Sequence, residues 1–398
     1  MTPTAPDAIQ HSSYTNTIGK SRGEESGMAE YRLISSDNHI TEPSNLWEGR
    51  VDPKFQDRAP VLKVGKEFDE WIVDGAYRLG VMSNVQPGVR FDDPNKIELV
   101  GKYDSPHLRG LDPDAQVADM EVDGVEGGVL YPSVALSLFA VPDSGLVSAC
   151  MRAYNDYVAE FAAAHPKQLK AIALVNIDDV QEGIAELQRC ANLGMVGAMI
   201  AALPLEIPLS DPMYDPLWAA FQDLNMSVNF HTGCARSKVP VDVVAINMDP
   251  VSMVNKEIGM RRGLSAMMFA GVFERFPGVH AGSVEFEVAW APFFIERMDY
   301  YYRERPSGRK GYQFKDGATP SDYWRSNCFI SFQEDPIGIK MREYIGVDNL
   351  CWGSDYPHAE STFPRSRQIV DGILEGLPDE EKQKIAFLNT ARLFHFDL

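Results

Sequence analysis

The sequence predicts an α/β chain folded as a (β/α)8 TIM barrel. Three observations point there: eight short, near-continuous apolar and β-branched runs recur along the chain, a longer amphipathic stretch follows most of them, and polar residues gather where several runs end. Runs of that length without alternation suit strands covered on both faces, as a parallel sheet requires. Strands alternating with helices along nearly the whole chain favour a closed barrel, with a doubly wound open sheet as the alternative. No GxGxxG follows the first run, which counts against a dinucleotide-binding sheet.

In chain order, Met1 to Glu30 is polar and without periodicity and is expected to be a disordered N-terminal extension ahead of one domain over 31–398. Strands are expected at Tyr31–Ser36, Gly128–Tyr131, Ala171–Asn176, Val196–Ile200, Met226–Phe230, Val279–Val284, Cys328–Phe332 and Leu350–Gly353. Helices are expected over Ser144–Ala164, Val180–Leu193, Pro212–Leu224, Val254–Phe276, Glu285–Arg303 and Pro364–Leu377. Pro212 and Pro336 stand near helix starts, where a missing N–H costs nothing, and Gly194 follows a helix end. Two segments exceed ordinary loop length. The insertion after the first strand, 47–110, is rich in Pro, Asp and Gly and contains an expected hairpin, Glu67–Arg78, around Asp74-Gly75; the other is Gly308–Ser326. Long insertions in a barrel are expected to act as caps or subunit contacts.

Composition narrows the function. The 398 residues carry 37 Lys plus Arg against 57 Asp plus Glu, a formal charge of −20, so nucleic acid and anionic membrane are not expected partners. No run approaches the roughly 18 apolar residues of a membrane span, and Met1 to Met28 has no apolar signal core. The five cysteines are odd in number and contain no CxxC pair, which fits a reduced, cytoplasmic protein with free thiols.

The polar residues at strand ends carry the chemistry. Asp37, His39 and Glu42 follow the first strand, His231 the fifth, Glu285 ends the sixth, and Asp355 and His358 follow the eighth. Singly, each has an ordinary structural explanation: a turn, a helix cap, a core histidine. In a barrel all of these positions open into one mouth, and imidazoles converging with carboxylates are the usual makings of a divalent metal site. Arg236, on the loop after His231, is a candidate to bind a substrate carboxylate in bidentate fashion.

These residues lie in motifs that carry a resemblance. SSDNHITEPSNLW, DGVEGGVLYPS, NDYVAEFAAAHPKQLKAIALVN, DPMYDPLWAAFQDLNMSVNFHTG, VFERFPGVHAGSVEFEVAWAPFFIERMD and GSDYPHAESTFP together span nearly everything from Tyr31 to Leu398. The chain resembles the metal-dependent amidohydrolase superfamily, in the amidohydrolase-related branch that includes the aminocarboxymuconate-semialdehyde decarboxylase type. The resemblance implies a metal at the C-terminal mouth, held by an HxH after the first strand, a His after the fifth and an Asp after the eighth, with a His after the sixth assisting catalysis. Here Asp37 stands at the first His of HxH, His39 matches the second, His231 and Asp355 match the other two ligands, and Glu285 replaces the sixth-strand His.

Those two exchanges harden the ligand set and add negative charge, which favours Mn(II) or Fe(II) over zinc. Two arrangements follow. Asp37, His39, His231 and Asp355 hold one metal, with Glu42, Glu285 and His358 behind or beside it, or the whole set holds two. The first implies a hydrolase or nonoxidative decarboxylase of a small carboxylate-bearing substrate, with one Zn or a harder divalent ion, Asp355 as general base and Glu285 as proton donor to the leaving group. The second implies a dinuclear Fe/Mn oxygenase, for instance a hydroxylase of a small amino acid. A third reading is a structural metal-binding subunit that assembles with a related catalytic chain, whereas an enzyme would be expected to form a homo-oligomer.

Overall fold

Five residues, Ser35-Ser36-Asp37-Asn38-His39, begin the barrel as strand β1 (Ser35–His39), and their polarity sets what the barrel does. The structure, a computed structural model, describes residues 31–397 except 76, 82–84, 99–100, 106–107 and 240–248; the expected extension Met1 to Glu30 lies outside the described residues. Beyond β1 come β2 (Val61–Lys63), β3 (Glu70–Val73), β4 (Tyr77–Val81), β5 (Gly128–Tyr131), β6 (Leu169–Leu174), β7 (Gly197–Met199), β8 (Ser227–His231), β9 (Ala281–Val284), β10 (Cys328–Phe332) and β11 (Leu350–Trp352). Eight of them form one sheet in the order β1-β5-β6-β7-β8-β9-β10-β11, every neighbouring pair parallel. The sheet closes on itself just past β11, where the Asp355 N–H donates to the Asp37 carbonyl at 2.8 Å and the His39 N–H donates to the Tyr356 carbonyl at 2.6 Å. This is the (β/α)8 barrel that the sequence predicts.

Helices between the strands start where short acidic side chains cap them. Asp143 accepts from Leu146 N at 3.1 Å to start Ser144–Ala163, and Asp179 accepts from Gln181 N and Glu182 N to start Val180–Asn192. Asp335 accepts from Gly338 N at 2.7 Å ahead of Pro336–Lys340. Each cap satisfies a first-turn N–H that has no partner within the helix, worth about 1 kcal/mol. The helices bury one face on the barrel: Leu217, Trp218 and Phe221 of Asp215–Asp223 are fully covered, about 2 kcal/mol or more of transfer energy each.

Several expected boundaries move. β1 lies four residues later than Tyr31–Ser36, because its C-terminal half is polar and faces the mouth and closing seam rather than an apolar layer. Asp37 and His39 are therefore inside the strand, and His231 is the last residue of β8. The helix expected from Glu285 begins at Ala291, since Glu285 and Glu287 have φ of 67° and 52°, outside the helical region. The single helix expected over Val254–Phe276 is interrupted: Glu257–Phe269 ends before Gly271, whose φ is 68°, and Val272–Arg275 follows. Around Asp74-Gly75 the hairpin β3–β4 is joined by β2 into a three-stranded antiparallel sheet. Insertion 47–110 touches the barrel mouth: Tyr103 Oη donates to the Glu42 carbonyl at 2.6 Å and Arg90 Nε to the Ser361 carbonyl at 3.0 Å.

Candidate metal centre

Asp37 and His39 are two apart on β1, so both side chains leave the same face of the strand, into the barrel. His231 arrives from the end of β8 and Glu285 from the residue after β9, while the seam that closes the barrel carries Asp355 to β1. The ligating atoms of Asp37, His39, His231 and Glu285 lie within 4.8 Å of one another, as do those of His39, Glu285, Asp355 and His358. His39 Nε2 is 3.4 Å from Asp37 Oδ1, 3.2 Å from Asp355 Oδ1 and 3.7 Å from Glu285 Oε2; His231 Nε2 is 3.5 Å from Asp37 Oδ1 and 3.2 Å from Glu285 Oε2. Neither Nε2 makes a hydrogen bond in any of these pairs. The spacings suit donors arranged around a cation.

Both imidazoles are oriented from behind. His39 Nδ1 sits 2.8 Å from the Pro132 carbonyl, which can only accept, so the ring proton is on Nδ1 and the Nε2 lone pair faces the cluster. His231 Nδ1 lies 3.1 Å from Thr232 Oγ1, whose own hydroxyl donates to Glu285 Oε1 at 3.2 Å, and the same tautomer follows. Within the cluster, five buried polar atoms then have no hydrogen-bond partner: Asp37 Oδ1 and Oδ2, Asp355 Oδ2, His39 Nε2 and His231 Nε2. Left unmet, each costs about 1–3 kcal/mol. One divalent ion among them would satisfy the set, and the donor chemistry fits it.

The electrostatics agree. Burial favours the neutral acid at Asp37 and Asp355, yet the neighbouring imidazoles outweigh it and hold both carboxyls below the usual range. Burial likewise disfavours a charged His39, but Asp355 and Asp37 hold its pKa well above the ordinary value. The carboxylates thus draw positive charge to this spot. Glu285 and Asp355 also sit at φ of 67° and 59°, a region that non-glycine residues rarely occupy, at a cost on the order of 1–2 kcal/mol each.

Of the remaining expected site residues, Glu42 and His358 stand behind or beside the cluster, as in the single-metal arrangement, and Arg236 is used differently. The Glu42 carboxylate is taken by three backbone N–H groups: Ser133 and Ala135 donate to Oε1 at 3.1 and 2.9 Å, and Val134 to Oε2 at 2.9 Å. It lies past the end of β1 and pins the segment after β5 instead of joining the cluster. His358 stands behind Asp355, its Nδ1 2.8 Å from Asp355 Oδ1 and its Nε2 3.1 Å from Ser133 Oγ. Burial lowers its pKa, and Asp355 outweighs this to raise it. Arg236 departs furthest from expectation. Its side chain is 1% exposed, its Nε and Nη2 pair with Asp178 at 3.1 and 2.7 Å, and its Nη1 donates to the carbonyls of Phe139 and Val141. Four of its five N–H groups are engaged inside the protein, so it is a structural clamp and not a substrate contact.

Sequence reasoning missed Lys256, whose Nζ is 3.3 Å from Glu285 Oε1. It also missed Thr232 and Ser133, which orient His231 and His358. Only Thr232, adjacent to His231, left a signal in the sequence.

The amidohydrolase family profile matches residues 107–396. The chain belongs to the amidohydrolase family. Among curated proteins it is similar to the gamma-resorcylate decarboxylase of a Polaromonas species, 24% identical over 322 residues that cover 74% of this chain and 92% of that protein. Among solved structures, an amidohydrolase from Mycobacterium avium subsp. paratuberculosis aligns with a TM-score of 0.74 at 21% identity, over 92% of this chain and 98% of that one. A dihydroxybenzoic acid decarboxylase from Polaromonas, solved with bound manganese and the inhibitor 2-nitroresorcinol, aligns with a TM-score of 0.59 at 16% identity, over 92% and 97% of the two chains. At those identities the structural likeness is one of fold.

Proposed function

We propose that this chain is a metal-dependent, nonoxidative decarboxylase acting at the barrel mouth on a small aromatic carboxylate of the hydroxybenzoate class. The observation that carries the reading is the set of five unpartnered donor atoms on Asp37, His39, His231 and Asp355, in a chain whose curated relative is named a decarboxylase. Of the seven candidate ligands, Glu42 is held by backbone N–H groups and His358 is engaged through both ring nitrogens. Asp37, His39, His231, Glu285 and Asp355 remain, enough for one five-coordinate ion and few for two. Three carboxylates among five donors support Mn(II), the metal present in the dihydroxybenzoic acid decarboxylase. The same ligand count disfavours the dinuclear oxygenase.

When bound, the ion would supply Lewis acidity, polarising substrate oxygens and stabilising the charge left on the ring. In the overall step the bond between ring and carboxylate carbon breaks, CO2 leaves, the electron pair stays on the ring carbon and a proton replaces the carboxylate. Glu285 is the carboxyl on the open side: its inner oxygen faces the histidines, Thr232 and Lys256 fix its outer oxygen, and solvent water supplies the proton. His358 orients Asp355 from behind. Tyr131, whose ring lies 5.0 Å from that of His231, packs beside that imidazole.

The test is protein purified from manganese-supplemented cells and assayed with 2,6-dihydroxybenzoate. About one metal per chain is expected, with CO2 released anaerobically and no oxygen uptake. His39→Ala and Asp355→Ala should lose the metal and at least about a hundredfold in rate. Two metals per chain, or turnover only with oxygen, would overturn the reading.

A further inference from the structure

The second oxygen of Glu285 raises a question that ligation does not answer. Oε2 faces the two histidines, while Oε1 turns outward to accept from Thr232 Oγ1 at 3.2 Å and from Lys256 Nζ at 3.3 Å. Lys256 belongs to no strand end. It precedes the helix Glu257–Phe269, and its side chain remains 30% exposed.

Asp37, Glu285 and Asp355 place three carboxylates around a site for one divalent ion, so the centre repels an anion unless cations of the chain offset it. Among the described residues, two such cations contact these carboxylates. His358 is buried behind Asp355 and engaged at both nitrogens. Lys256 is on the open side, on a flexible stem, and is held by a single long contact. Of the two, only Lys256 can be reached by an entering molecule.

We propose that Lys256 is the specificity residue through which this site accepts carboxylate-bearing substrates, its ammonium turning from Glu285 Oε1 to the carboxylate of the entering ligand. The proposal rests on the reading of the site as a metal-dependent decarboxylase and adds to it a residue that the strand-end motifs do not contain. Lys256 makes two opposed contributions. Its positive charge weakens the binding of a metal cation and strengthens the binding of an anionic substrate. Its removal should therefore shift the two affinities in opposite directions, a signature that loss of a merely structural contact does not produce.

The experiment titrates the whole protein with Mn2+ alone, then titrates the Mn2+-loaded protein with 2,6-dihydroxybenzoate and with resorcinol, which is the same ring without the carboxylate. Wild type, Lys256→Met and Lys256→Arg are compared. In Lys256→Met, Mn2+ should bind several-fold more tightly, 2,6-dihydroxybenzoate about tenfold more weakly, and resorcinol unchanged; Lys256→Arg should restore the anion. Equal losses for both ring compounds, or an unchanged affinity for 2,6-dihydroxybenzoate, overturn the proposal. A wild type that holds Mn2+ but binds neither compound refutes the aromatic-carboxylate reading, and Lys256 is then decided by the Mn2+ arm, where an unmoved affinity in Lys256→Met overturns its role as counter-charge.

Discussion

Arg236 shows how a side chain with the right chemistry can serve a different purpose. From the loop sequence it is a free guanidinium near a ligand; in the fold it is locked to Asp178, a residue 58 positions away that no local pattern indicates. Arg236→Met should cost about 3 kcal/mol in stability, because it leaves Asp178 buried without its partner, while Mn2+ affinity stays put. Urea titration together with a metal titration checks both; a variant of full stability that loses ligand binding would return Arg236 to the site. Glu42 follows the same logic. DxHxxE brings it close to the ligands in sequence, but β1 ends at His39, and three residues further on the chain has turned toward the N–H groups of Ser133 to Ala135. The clustering of Asp37, His39, His231 and Asp355 was legible because strand ends converge in any barrel. Lys256 was not, because its position depends on how a connecting helix packs.

At the scale of elements, the contact between β1 and the segment after β11 joins structure to chemistry. A Cβ built on Gly353 would lie 2.6 Å from Asp37 Cβ and 3.0 Å from Ser331 Oγ, so Gly353→Ala must displace β1. It should cost about 1–3 kcal/mol and weaken Mn2+ binding as well, measured by calorimetric titration; a destabilised variant with full metal affinity would show that the seam and the site are independent. Gly128–Tyr131 and Cys328–Phe332 were legible to the residue, since each is mostly apolar, fully buried and bounded by breaks. The polar β1 was misplaced for the converse reason. Its second half contributes Asp37 and His39 to the mouth, and Asn38 to a bond from Ser354 Oγ at 2.7 Å, so hydrophobicity understates where the strand runs. The helix expected at Glu285 began late because left-handed backbone at Glu285 and Glu287 cannot be inferred from residue type.

For the molecule as a whole, the five unpartnered donors make the folded state a receptor for a cation that the unfolded chain cannot hold as well. Added Mn2+ should therefore raise Tm, by the equivalent of about 2.7 kcal/mol at a hundredfold excess over Kd. EDTA should reverse the rise, and His39→Ala should be insensitive to both. Scanning calorimetry checks this, and a Tm indifferent to Mn2+ in the wild type counts against the metal centre. No helix among the described residues is long and apolar enough to cross a membrane, and all five cysteines are buried and unpaired. The closing seam has one more consequence, which concerns time. Ser35 Oγ meets the Ser354 backbone N–H 319 residues further along, so the two halves of the ligand set are made at opposite ends of synthesis. A ribosome that has released β1 through β10 has produced a chain with Asp37, His39, His231 and Glu285 in hand but no Asp355 to complete the set. The fifth donor arrives together with the hydrogen bonds that close the barrel beside Asp37, so a chain that stalls before its last strand presents any ion with an open, incomplete set.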